Sequence, residues 1–229
     1  MTEIGVIGCS HSSYDYGNPW HYYIPKKYGN MFIDYVCTSG SGNEYNIEKI
    51  KHKLDANPKI KTYIIQLTEP SRLDIGMDNM DYVYDDLVYR SLPEIPHITL
   101  RMNTFDDDLS NYISKKYEIN EFFKNHVLGS NYNLNYKIFH TIMSITQLCK
   151  FYDVEPIFFS WFVDLKKIAK EIRYTNIIEK INILDGCVLD FIEENKIKPL
   201  KNLHYDSESH EKIFEEYIYP QLKKYNING

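Results

Sequence analysis

Cysteine and arginine are scarce in this chain, and basic clusters and long apolar runs are missing. Each absence closes off a class of protein. The four cysteines, Cys9, Cys37, Cys149 and Cys187, form no CxxC and no zinc-knuckle spacing, and each sits in or beside an apolar stretch. That argues against a disulfide or zinc scaffold and predicts free, buried thiols. A chain of 229 residues buries enough apolar surface to fold without such staples. Arginine occurs only at Arg72, Arg90, Arg101 and Arg173, the lysines are scattered, and the formal net charge is −6. Without a basic stripe to neutralise phosphates, no nucleic-acid partner is expected. No stretch of about 18 apolar residues exists, so no membrane span is expected. MTEIGVIGCS enters a strand pattern directly, without the charged and long apolar regions of an ordinary signal peptide. TSGSGN (38–43) lacks the lysine of a P-loop, and Asp106–Asp108 has no second carboxylate group at metal-site spacing. No cofactor, metal or nucleotide is expected.

What is present is an alternation of strand and helix patterns. Residues 4–8, 31–36, 61–68 and 156–161 are short apolar runs with the character of buried parallel strands, and 181–184 adds a fifth, shorter one. Between them, residues 18–29 predict a short helix, interrupted or started again near Pro25. Residues 46–56 predict a helix with Ile47, Ile50 and Leu54 on one face. Helices are also predicted over about 117–127, 135–152, from Asp164 onward, and from about Ser207 to Tyr225, the last with Ile213, Tyr217 and Leu222 on its apolar side. Residues 69–115 are irregular, with an acidic, Tyr-rich segment, and predict an excursion forming a lid or wall. The fold class is therefore α/β: one domain over residues 1–229, a three-layer α/β/α sandwich around a parallel, flavodoxin-like sheet of about five strands.

In such a sheet ligands bind beyond the carboxyl ends of the strands. Ser10, Gly42 and Thr68 fall just past the first three strands. GCSHS (8–12) puts a small hydroxyl residue at a strand-to-helix turn, where backbone N–H groups can stabilise an oxyanion; the alternative is that Ser10 or Ser12 caps a helix. His204 lies in a loop ahead of the last helix, with Asp206 or Ser207 as its N-cap, whereas His210 lies inside that helix.

The order of these motifs resembles the SGNH/GDSL hydrolase superfamily. GCSHS resembles its first block, which implies that Ser10 is the nucleophile, with Cys9 in place of the usual Asp. NPWHYYIPKKYGN (18–30) followed by TSGSGN resembles the second block, which implies Gly42 as an oxyanion donor, with Gly40 next. LHYDSESHEKIFEE (203–216) resembles the last block, whose two histidines six residues apart correspond to His204 and His210, so His204 is the implied base. The family implies an esterase, lipase, acetyl-ester hydrolase or acyltransferase.

Two features depart from the family pattern. The third block, normally GxND, is replaced by QLTEPSR (66–72), leaving Thr68 or Asn43 to supply the side-chain oxyanion donor. Lys201 and Asn202 stand where an Asp is expected before the base. That Asp orients the imidazole, and its loss costs on the order of 10⁴ in rate where nothing replaces it. A backbone carbonyl, Asp206, Asp164 or Glu69 are the candidates to replace it. His11 and Arg72 are candidate substrate-binding residues, and Trp161 is a core residue or cleft wall. The reading is a serine hydrolase acting on a small-molecule or carbohydrate ester, cytoplasmic or virion-associated. The alternative is an inactive binding or structural protein on the same fold, virion-associated or glycan-binding. The distinguishing geometry is Ser10 Oγ within about 2.6–3.2 Å of a His204 ring nitrogen.

Overall fold

The computed structural model describes residues 3–29, 31–37, 42–69, 72–76, 97–101, 131–200, 204–225 and 227, with the side chains of 72–76, 97–101 and 131–133 outside the description. Five strands, β1 (Glu3–Gly8), β2 (Phe32–Cys37), β3 (Thr62–Leu67), β6 (Glu155–Ser160) and β7 (Asn182–Ile183), form one sheet in the order β2-β1-β3-β6-β7. Every pairing in it is parallel, with Ile4 opposite both Ile33 and Thr62, and Thr62 opposite Glu155. This is the predicted doubly wound order, reversing direction at β1, so a crevice opens beyond the carboxyl ends of β1 and β3. Five parallel strands flanked by helices on both faces make the three-layer α/β/α sandwich.

Each central strand is apolar on both faces because both are covered. Along β3, Tyr63, Ile65 and Leu67 join a core completed by α2 (Tyr45–Ala56), α3 (Asn131–Phe151) and α4 (Leu165–Glu171). Ile64 points the other way, into a core with Trp20, Ile24 of α1 (Ile24–Tyr28), Val188 of α6 (Val188–Glu194) and the last helix. Burying a large apolar side chain of this kind contributes roughly 1.5–3 kcal/mol, so these two cores carry the stability of the domain. The last helix begins as α7 (Ser207–Ile213), passes through a π-helical turn at Phe214–Ile218 and ends at Tyr219–Leu222. Ile213, Phe214, Ile218 and Leu222 are fully buried along it.

The region 18–29 breaks near Pro25 as expected, into a 3₁₀ turn (Trp20–Tyr23) and a short α1, because Pro25 starts α1 in its first turn. Two features differ from the sequence expectation. The stretch 69–115 is not wholly irregular, since β4 (Arg72–Gly76) and β5 (His97–Arg101) pair antiparallel. Two short helices, α5 (Thr175–Ile178) and α6, are too brief to show a period in sequence. The proposed lid and the helix over 117–127 lie outside the described residues. All four cysteines are free, and Cys37 alone is partly exposed. No helix among the described residues is long and apolar enough to cross a membrane.

Candidate active site

β1 delivers the chain at Gly8 into a 3₁₀ turn, Ser10–Ser12, followed by a second, Tyr14–Tyr16. The expected helix after Ser10 is thus a pair of single turns, and a single turn carries little of a helix dipole. Capping does not explain Ser10. The residue ahead of the first turn is Cys9, which makes no side-chain cap, and Ser13 caps the second turn.

The turn is anchored by buried polar groups that the sequence reading did not single out. Gln66, fully buried on β3, accepts hydrogen bonds at Oε1 from the Cys9 N–H (3.2 Å) and the Ser12 hydroxyl (2.7 Å). Ser12 Oγ in turn accepts from Trp20 Nε1 at 2.7 Å, and the Ser12 carbonyl accepts from His21 Nε2 at 2.9 Å. On the opposite face, Lys49 of α2 is 0 % exposed and donates from Nζ to the Gly8 carbonyl at 2.8 Å. Gly8 is obligatory here, because a Cβ would lie 2.6 Å from Ser12 Oγ and 2.8 Å from Gln66 Oε1. The signal for Gln66 was visible: it is the polar break in the apolar run of TYIIQL. Lys49 gave no signal, since a lysine on an amphipathic helix ordinarily reaches solvent.

Against this network Ser10 stands apart. It is 3 % exposed, and among the described residues its hydroxyl has no hydrogen-bond partner. A buried hydroxyl left unbonded costs about 1–3 kcal/mol, which makes it a group held ready for something that enters the site. Thr68, at the end of the neighbouring β3, is likewise buried with a hydroxyl unpartnered among the described residues. Asn43 joins that strand end through two bonds to the Thr68 backbone: Nδ2 donates to its carbonyl (3.1 Å) and Oδ1 accepts its N–H (2.8 Å). Asn43 therefore holds Thr68 in place, and Gly42, also buried, immediately precedes it. Arg72 opens β4, and its side chain lies outside the described part of the structure.

His204 reaches the same end of the sheet from the opposite end of the chain. Its imidazole is stacked on Tyr16, with ring centroids 3.8 Å apart and planes 20° from parallel. His11, next to Ser10 in the chain, lies 5.0 Å from it and is itself stacked flat on Trp161 at 4.4 Å. Trp161, 1 % exposed, is a core residue whose face carries the His11 ring. Since the Ser10 hydroxyl is unbonded, the Ser10–His204 hydrogen bond is not closed in this state. Catalytic hydrogen bonds of this type often tighten only once substrate is bound. Two expected stand-ins for the missing Asp are engaged elsewhere: Asp206 caps α7 by accepting the Ser209 N–H at 2.8 Å, and Asp164 caps α4 by accepting from Lys166 and Lys167 N–H.

The two ends of the chain are fastened together at Ser207. Its Oγ accepts the Asn18 N–H at 2.8 Å, and its carbonyl accepts the Tyr23 hydroxyl at 2.7 Å. Gly17 turns there at φ +124°, where a Cβ would sit 2.6 Å from Ser207 Oγ. Two further histidines are sealed inside. His21 and His210 are 0 % and 3 % exposed, and burial pulls each down from the ordinary 6.5 to about 4, His210 being pushed further by neighbouring His21. Both are neutral at pH 7, and a proton affinity lowered that far makes each a weaker base than an ordinary imidazole.

No family model and no curated protein matches the sequence. Solved structures do match in fold. A member of the lipolytic protein G-D-S-L family from Veillonella parvula superposes with a TM-score of 0.54 at 10 % identity, covering 100 % of both chains. The psychrotrophic esterase EstA from Pseudoalteromonas sp., a structure inhibited by monoethylphosphonate, gives 0.57 at 12 % identity, again over 100 % of both chains. TesA gives 0.53 at 10 % identity over 97 % of this chain and 99 % of that one. Strand order, layer arrangement and these full-length superpositions agree: the chain has the fold of the GDSL-type lipolytic proteins.

Proposed function

We propose that this protein is a serine hydrolase of carboxylic esters, with Ser10 as nucleophile and His204 as general base. The observation that carries this reading is the Ser10 hydroxyl, unbonded among the described residues and buried at the carboxyl end of β1, with His204 held beside the adjoining residue His11. Ser10 Oγ attacks the ester carbonyl carbon as its proton passes to His204. The resulting oxyanion is held by N–H groups of the Ser10 turn and Gly42, and by the Thr68 hydroxyl. Collapse of the tetrahedral species expels the alcohol, which takes the proton from His204 and leaves an acyl-Ser10. Water, deprotonated by His204, then releases the acid. The fold's likeness to an esterase and a lipolytic protein supports the reaction class.

A carbohydrate O-acyl or acetyl ester is the substrate class to try first. Tyr14, Tyr22 and Tyr35 are 41 %, 41 % and 45 % exposed near the turn and offer faces on which a sugar ring packs. The test is hydrolysis of p-nitrophenyl acetate and butyrate by wild type, Ser10→Ala and His204→Ala, together with intact-mass analysis after treatment with a p-nitrophenyl alkylphosphonate. A wild-type rate that falls on the order of 10³-fold or more in both variants, and a single phosphonyl adduct on Ser10, are expected. An unchanged rate in Ser10→Ala, or an adduct elsewhere, refutes the assignment.

A further inference from the structure

We propose that Tyr16 is a positioning residue for His204, its ring fixing the imidazole plane, a task that a triad carboxylate performs in the family pattern. This rests on the Ser10–His204 reading. The chain carries Lys201 and Asn202 where that carboxylate is expected. Asp206 and Asp164, two of the three carboxylates named above as substitutes, accept backbone N–H groups as N-caps. Two aromatic rings lie against the imidazole: Tyr16 at 3.8 Å and 20°, and His11 at 5.0 Å and 31°. An imidazole lying flat on another ring loses that contact if it turns, so the stack fixes its plane.

The stack is held from both sides. Tyr16 closes a 3₁₀ turn and is followed by Gly17 and Asn18, which meet Ser207 through a close approach and a 2.8 Å hydrogen bond. His204 lies three residues before the same Ser207. The two rings are therefore set by one clasp and face each other within a few residues of it. The face of a phenol ring carries negative potential, so it also favours the imidazolium that forms as Ser10 loses its proton. Stacking cannot choose between imidazole tautomers. Its contribution is therefore smaller than that of a carboxylate, roughly 5- to 30-fold in kcat.

The experiment compares Tyr16→Leu, which keeps apolar bulk, and Tyr16→Phe, which keeps the ring, with wild type and Ser10→Ala on p-nitrophenyl acetate. His204 ring-proton shifts are measured by NMR on the same samples. The expected result is a roughly 5- to 30-fold fall in kcat for Tyr16→Leu with KM within about twofold. Tyr16→Phe should restore kcat, and the upfield ring-current shift of His204 should be present in wild type and Phe but lost in Leu. An unchanged kcat in Tyr16→Leu, while Ser10→Ala is inactive, overturns the inference and leaves the esterase reading standing. His204 signals at free-imidazole positions in wild type overturn it without reference to any variant. A wild type that hydrolyses no ester overturns the esterase reading itself, and the inference with it.

Discussion

The Ser10 turn and the His204 loop are held in physically different ways. Around Ser10 the contacts are short and directional: Gln66 to Cys9 and Ser12, Trp20 and His21 to Ser12, Lys49 to Gly8, all between buried groups. Against the His204 imidazole lie broad ring faces, a stacked tyrosine and a tilted histidine, while hydrogen bonds at Ser207 fasten the neighbouring chain. A nucleophile must be in one place with its hydroxyl free, and a rigid network that bonds its neighbours but not itself achieves this. A base must receive a proton from one atom and hand it to another. Ring contacts tolerate that small movement better than hydrogen bonds would.

Acid is the strongest way to break both regions at once, because each contains a sealed neutral histidine. For a base held at about 4 in the folded state against 6.5 unfolded, the unfolded chain binds more protons between those values, so stability is full above pH 6.5 and falls as pH drops toward 4. The loss amounts to about 3 kcal/mol per histidine over that window. Urea denaturation at pH 7 and pH 4.5 should show it, and His21→Gln or His210→Gln should each flatten the slope. Gln66→Leu tests the rigid side alone. It strands the Cys9 N–H and the Ser12 hydroxyl and should cost about 2–4 kcal/mol, with activity lost even where the fold survives. Gly17→Ala tests the soft side. Positive φ and the contact with Ser207 Oγ should together cost about 1–3 kcal/mol, read as a lowered melting temperature. The smallest effect is Ser207→Ala, which removes the bond from Asn18 but keeps the Ser207 carbonyl. We expect about 1 kcal/mol in stability and a measurable fall in kcat, because the two rings lose their common anchor. If Ser207→Ala lowers stability but not kcat, the clasp only fastens the ends and the contrast between the two regions is one of structure alone.

Much of this was legible in the chain, for reasons that differ by residue. Buried parallel strands write themselves as continuous apolar runs, so β1, β2, β3 and β6 appear within about a residue of their expected limits, and their alternation with helices dictated the layers. Ser10, Gly42 and Thr68 could be placed just past the ends of the first three strands, because a strand end in this architecture is a fixed address. Asp206 was legible as an N-cap by its place before SESHEKI. The hidden parts are those where a side chain's fate is decided by something distant in sequence. Nothing local to Lys49 says that its ammonium meets a carbonyl 41 positions away, and nothing near Tyr16 announces His204. The short 3₁₀ turns after Ser10 were misjudged as helix, because three residues carry no period to read.

The clasp at Ser207 also has a consequence in time. The hydrogen bond from Asn18 spans 189 positions, so the loop it closes is nearly the whole chain, although the entropy cost of closure grows only as the logarithm of that length. During synthesis the Ser10 turn exists long before His204 is made. On the proposed mechanism the sheet can therefore form while the protein is chemically silent, and competence arrives in a single late event, when the last helix docks.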